Sequence, residues 1–140
     1  MTAEKTRPFD FEKMQIGEEL GSFEYVLTQE QLDNYRQSID APDAMYPTIA
    51  IKHDSTALGM VYDSGPGSVN ARNEVKFHNP PIPGKKIKVS ARIIDKYVRR
   101  DAPYIVIEAT AVDEDGRLIE SIKTYQLKRP SKVGEKWANR

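Results

Sequence analysis

Two histidines, His53 and His78, stand in this chain, and cysteine is absent. A cysteine nucleophile, a thiolate zinc site and a disulfide framework are therefore excluded. Three histidines on one metal ion are impossible within one chain. What remains for proton transfer is His53 beside Asp54, the one adjacent His–Asp pair, with Asp40 and Asp43 upstream. On a helix, neighbouring residues point about 100° apart, so His53 and Asp54 do not face each other. His53 is instead within spatial reach of Asp40, Asp43 or a partner subunit. An imidazole so placed is either a general base or a hydrogen-bonded histidine in a subunit contact. Asp40 has two readings as well, a chemical group or a helix-end turn residue. His78, at a strand end before Asn79-Pro80-Pro81, reads as structural. Gly65-Pro66-Gly67 is too short for a phosphate-cradling loop and lacks the Lys-Ser/Thr that such a loop requires.

The elements that must position these groups follow from pattern. The chain has 140 residues, which fits one domain, 1–140. Phe23, Tyr25 and Leu27 alternate in a strand near Gly21–Leu27. Thr28 and Gln31 form a capping box that opens a short helix carrying Leu32 and Tyr35 inward. Ala41-Pro42-Asp43 then turns the chain. Residues 49–62 carry apolar side chains on more than one helical face, which predicts a largely buried helix. Lys52, His53, Asp54 and Ser55 form its more polar stretch, and Thr48 is a good N-cap. Ser64-Gly65-Pro66-Gly67 ends it. Four long strands follow. Val69 to Phe77 alternates, Ile87 to Ile93 alternates, Tyr104 to Val112 is rich in β-branched residues, and Leu118 to Leu127 closes the series after the Asp115-Gly116 hairpin signal. Long antiparallel strands around one apolar helix make an α+β architecture.

Charge bounds the partners. Lys plus Arg is 21 and Asp plus Glu is 21, which argues against nucleic acid, whose binders carry a basic surplus. No signal-peptide h-region and no run long enough to span a bilayer is present, so the expectation is a cytoplasmic chain without membrane contact. Residues 129–140 form a basic C-terminal arm after the last strand.

That order of elements resembles the hotdog fold, a curled antiparallel sheet wrapped around a central helix. Within it, Glu74-Val75-Lys76-Phe77-His78-Asn79-Pro80-Pro81-Ile82-Pro83-Gly84-Lys85-Lys86-Ile87 is similar to the strand–Pro–x–x–x–Gly–strand passage of the MaoC-like dehydratase and hydratase family. Phe11-Glu12-Lys13-Met14-Gln15-Ile16-Gly17-Glu18-Glu19-Leu20 resembles that family's opening segment, and Asp113-Glu114-Asp115-Gly116-Arg117-Leu118-Ile119 its late hairpin. Together these cover roughly residues 9–128.

The resemblance implies an acyl thioester on coenzyme A or acyl carrier protein, no cofactor and no metal, and addition or removal of water at an enoyl or 3-hydroxyacyl group. It implies an Asp/His dyad on the water, and backbone N–H groups at the start of the central helix on the thioester oxygen, where enolate charge develops. That corner is Tyr46, Pro47, Thr48 and Ile49, where helix capping is the other reading. Tyr35 followed by Ser38-Ile39-Asp40 begins as the family's signature does. Asp43-Ala44-Met45-Tyr46-Pro47 then runs straight into the helix, and an isoleucine or its neighbour stands where the family's His is expected. The usual dyad is thus incomplete. The candidate catalytic residues are Asp40, His53 and Asp54, and the candidate substrate-binding residues are Tyr46, Thr48, Ile49 and Lys86. Lys85, Lys86, Lys88, Arg99 and Arg100 are either phosphate contacts for coenzyme A or a solvated sheet face. A lone hotdog sheet has open edges, so assembly as a homodimer or with a related subunit is expected. Two other functions remain open, a non-catalytic acyl-CoA-binding subunit of a heteromeric hydratase, and a thioesterase in which Asp54 activates water.

Overall fold

A computed structural model describes residues 7–8, 10–44, 53–63 and 68–128. The elements are β1 (Arg7–Pro8), β2 (Glu19–Val26), α1 (Gln29–Ser38), α2 (His53–Val61), β3 (Tyr62–Asp63), β4 (Ser68–Phe77), β5 (Lys86–Arg99), β6 (Ala102–Asp113) and β7 (Leu118–Lys128). Strands β2, β5, β6, β7 and β4 form one antiparallel sheet in that order, with β2 and β4 at its edges. β1 and β3 make a separate two-residue parallel pair. The sheet and its central helix are the hotdog arrangement, in an open rather than closed form. No helix among the described residues is long and apolar enough to cross a membrane.

Local chemistry sets the boundaries. The Thr28 side chain accepts from the Gln31 backbone N–H at 3.1 Å, and the Gln31 side chain accepts from the Thr28 backbone N–H at 3.0 Å. This reciprocal capping starts α1 and leaves Leu32 as its buried anchor. At the β6–β7 turn, Asp113 Oδ1 accepts from the backbone N–H groups of Asp115 (3.0 Å) and Arg117 (2.9 Å). Gly116 there takes φ +82°, which only glycine adopts without strain.

The two faces of the sheet differ sharply. One face carries Ile87, Val89, Ala91, Ile93, Ile105, Ile107, Ala109, Ala111 and Ile122, all buried beneath Ala57 and Leu58 of α2. The opposite face bears charges set across the strands. Arg92 lies 3.7 Å from Glu108 and Lys123 lies 3.8 Å from Glu74, while along β4 itself Arg72 lies 2.6 Å from Glu74. In register, Glu108 stands between Arg92 and Lys123. This ladder accounts for part of the high charge content.

The helix departs from expectation. His53, Asp54, Ala57 and Leu58 are its buried residues, a single stripe with i, i+1, i+4, i+5 spacing. The helix is therefore buried along one side only, and Met60 is 48% exposed. The reason is that the sheet covers one face of the helix. The expected polar stretch is correspondingly split, with His53 and Asp54 turned inward and Ser55 outward.

Gly21 of β2 permits this seating. A Cβ built there would stand 2.6 Å from Met60 Cβ and 3.1 Å from the Ala57 carbonyl oxygen. Gly21→Ala is expected to destabilise the fold by about 1–3 kcal/mol through overpacking, read as a fall in thermal or urea midpoint. An unchanged midpoint would refute close helix–strand seating.

Candidate functional site

The site is built where the start of α2 meets the ends of β2 and β7. Alternation along β7 turns Glu120, Ile122, Thr124 and Gln126 to one face, across from Ala111, Ala109, Ile107 and Ile105. Three of these four strand positions, Glu120, Thr124 and Gln126, are buried polar side chains. Alternation along β2 brings Phe23 and Tyr25 to the same side, opposite Val89 and Ile87.

His53 sits among them at 2% exposure. Its Nε2 lies 3.2 Å from the Tyr25 hydroxyl, and its Nδ1 lies 3.7 Å from Glu120 Oε1. The second contact is in ion-pair range but longer than a hydrogen bond. Phe23 meets the imidazole edge-on at 6.0 Å between ring centroids and stacks on Tyr25 at 6.3 Å. The ring is thus fixed on two sides by aromatics and aimed at a carboxyl on a third.

Burial dominates the electrostatics. It pushes His53 down to about 4 and Glu120 up to about 7. It also raises Tyr25, with the Glu120 carboxyl adding to the effect. Near neutral pH the site therefore holds an uncharged imidazole beside a carboxyl at its midpoint, which suits proton transfer in either direction.

Asp54 is fully buried, and neither carboxyl oxygen has a hydrogen-bond partner among the described residues. Burial pushes it up to about 7, and the nearby Thr124 hydroxyl opposes this only in part. That hydroxyl donates to Asn73 Oδ1 at 3.0 Å. Asp54 points to the Thr124 side while His53 faces Glu120, as the angle between helix neighbours requires.

The structure brings together some of the sequence candidates. His53 and Asp54 are adjacent and buried, but each faces a different strand residue. Asp40 is exposed at the end of α1 with φ +52°, and no hydrogen bond or ion pair joins it to His53 among the described residues. Lys86 is exposed, alternates with buried Ile87, and so lies on the face away from α2. Its Nζ is 3.8 Å from Glu24. Tyr46, Thr48 and Ile49, with Pro47, lie outside the described residues. His78 is exposed, and its Nε2 lies 3.2 Å from the Ser121 hydroxyl. Sequence reasoning missed Glu120 as a site residue and took Tyr25 only for a strand residue. The available signal was the two-residue spacing of Glu120, Ile122, Thr124 and Gln126. Among the described residues no group of three His, Cys, Asp or Glu is arranged to hold a metal ion.

No protein-family model matches the sequence, and no curated protein matches it. Solved structures do match in fold. A monoamine oxidase regulatory protein from Archaeoglobus fulgius superposes with a TM-score of 0.72 at 16% identity, over 94% of this chain and 100% of that one. The R-hydratase PhaJ1 from Pseudomonas aeruginosa gives 0.62 at 12% identity, over 86% of each chain. A thioesterase superfamily member from Thermus thermophilus gives 0.60 at 21% identity, over 91% of this chain and 98% of that one. At these identities the likeness is one of fold.

The buried acids make stability depend on pH. Folded Glu120 and Asp54 keep their protons up to about 7, against ordinary values of 4.5 and 3.8. The unfolded chain thus binds fewer protons across that window, and stability falls as pH rises through it. His53 acts oppositely, losing stability as pH falls from 6.5 to about 4. Asp54→Asn is therefore expected to raise the melting temperature more at pH 8 than at pH 5. Equal shifts at the two pH values would show that the Asp54 carboxyl is not held neutral by burial.

Proposed function

We propose that this chain is a hydratase or dehydratase of acyl thioesters, acting on an enoyl or 3-hydroxyacyl group carried by coenzyme A or acyl carrier protein. The observation that carries the reading is the buried His53–Glu120 pair at the start of the central helix, on the helix-covered face of a hotdog sheet. Hydration takes a proton from water, adds the hydroxyl to C3 and delivers a proton to C2. A neutral imidazole next to a carboxyl that titrates near 7 serves both halves of that exchange. The pair stands in for the Asp/His dyad that the sequence carries only in part. The R-hydratase of the same fold supports the reaction class by analogy. Tyr46, Thr48 and Ile49 keep the role that the resemblance implies, with their backbone N–H groups toward the thioester oxygen.

We infer that the chain works in the cytoplasm as at least a dimer, of two copies or with a related hotdog subunit. Its open sheet edges at β2 and β4 support this, since an unpaired edge is a ready surface for another chain.

A thioesterase is the second reading, favoured by one feature. Asp54 is a carboxyl on the central helix with no hydrogen-bond partner among the described residues, pushed up to about 7, and it would activate water against a thioester carbonyl once substrate binding opens the site.

A turnover assay with crotonyl-CoA and longer enoyl-CoAs decides between the readings. Loss of the conjugated thioester absorbance without thiol release is expected. Thiol release would instead establish the thioesterase. Silence in both channels with acyl-CoA bound would make the chain the non-catalytic member of a pair. In the active protein, His53→Asn is expected to lower kcat/KM by about 10²–10⁴-fold. Asp40→Ala, at an exposed residue with no hydrogen bond or ion pair to the buried pair among the described residues, is expected to leave it within about twofold, and a large loss there would return the site to the end of α1.

A further inference from the structure

His53 and Glu120 face each other, but at 2% and 4% exposure neither is placed to meet a substrate directly. The partly exposed polar side chain in hydrogen-bond contact with His53 is Tyr25, on the edge strand β2. We propose that Tyr25 is the catalytic residue that touches the substrate, and that His53 and Glu120 are positioning residues that relay its proton. This rests on the acyl-thioester reading above.

The hydrogen-bond directions follow from the chemistry of the three groups. When Glu120 is ionised it attracts a proton on His53 Nδ1, which leaves Nε2 as an acceptor. The Tyr25 hydroxyl, 3.2 Å away, then donates to Nε2. A donating phenol turns its oxygen lone pairs outward, where they accept a proton from water. When Glu120 is protonated the chain reverses. Glu120 donates to Nδ1, Nε2–H donates to the Tyr25 oxygen, and the phenol proton points outward as a donor. One proton on Glu120 therefore sets whether the outer end of the relay is an acceptor or a donor.

The step balances without a co-reactant. A water O–H bond breaks and its proton passes to the Tyr25 oxygen. The phenol proton moves to His53 Nε2, and the Nδ1 proton moves to Glu120. The hydroxide oxygen bonds to C3, the C2–C3 π electrons shift toward the thioester carbonyl, and the relay returns one proton to C2. The relay ends as it began. The Nδ1–Glu120 distance must shorten by roughly half an ångström for the transfer, a tightening common on substrate binding. Stacking against Phe23 holds Tyr25 in line meanwhile.

The groups that face Glu120 are few. His53 approaches from α2 and Tyr25 from β2, while its cross-strand neighbours Ala111 and Phe77 do not ionise. Asp54 lies on the Thr124 side of the helix start. A pH dependence near neutrality that Glu120→Gln removes would thus belong to this relay rather than to a distant group.

The test uses ring-labelled tyrosine NMR on the whole chain with butyryl-CoA, a saturated thioester that cannot be hydrated. The Tyr25 signal, identified by its disappearance in Tyr25→Phe, is expected to shift when butyryl-CoA binds. With enoyl-CoA substrates, Tyr25→Phe is expected to reduce kcat by about a hundredfold or more with little change in KM. Glu120→Gln is expected to flatten the limb of the pH profile near 7. If butyryl-CoA binds and the Tyr25 signal does not move, or if Tyr25→Phe turns over as wild type, the inference is wrong while the acyl-thioester reading stands. If no acyl-CoA binds, the acyl-thioester reading itself fails and this inference falls with it.

Discussion

Gly21 has no side chain, and that gap lets the central helix lie against β2. The would-be Cβ stands closer to Met60 than real Cβ atoms approach any neighbour. With α2 seated there, its start reaches across the sheet, and His53 meets Tyr25 on one edge strand and Glu120 on β7 near the other. A helix held further out would leave these groups in water, with ordinary proton affinities and no fixed geometry. The close approach therefore makes the burial, and the burial makes the chemistry.

Burial has a cost that the rest of the core must offset. His53, Asp54, Asp113 and Glu120 all lie inside, and Asp54 has no hydrogen-bond partner among the described residues. Each unsatisfied buried group costs on the order of 1–3 kcal/mol. The offset comes from the short, rigid Ile, Val and Ala side chains of β5 and β6, which fill the floor under α2 without polar atoms. A chain selected only for stability would replace such polar positions with apolar ones. Their presence fits a site more easily than a scaffold.

Much of the frame was readable from residue pattern, because it rests on local chemistry. Thr28 and Gln31 cap a helix wherever they occur in that spacing, and Asp115-Gly116 turns a hairpin by itself. The strands announce themselves by alternation. Both deeper features were hidden by tertiary context. The inward stripe of α2 contains His53 and Asp54, so apolar spacing alone pointed to the wrong sides of the helix. Glu120 was hidden by the register irregularity between Ala111 and Val112. Ile119 and Ile122 are both buried although three residues apart, which breaks the expected alternation and conceals which face Glu120 takes. Tyr25 was read as one of the alternating residues of a strand, but its hydroxyl acquires meaning only once His53 is beside it.

The cross-strand charges on the outer face bear on how the chain finds its fold. Strand pairing is ordinarily fixed by hydrophobic contrast, since a one-residue slip exchanges the faces. On β7 that contrast is weak, because the helix-facing side reads Glu120, Ile122, Thr124 and Gln126. A slip there would not greatly worsen apolar burial. It would, however, drive Lys123 beneath the helix and remove it from Glu74 and Glu108. The ladder thus serves as an alignment key during assembly, and a strand with a polar interior can still choose one partner position.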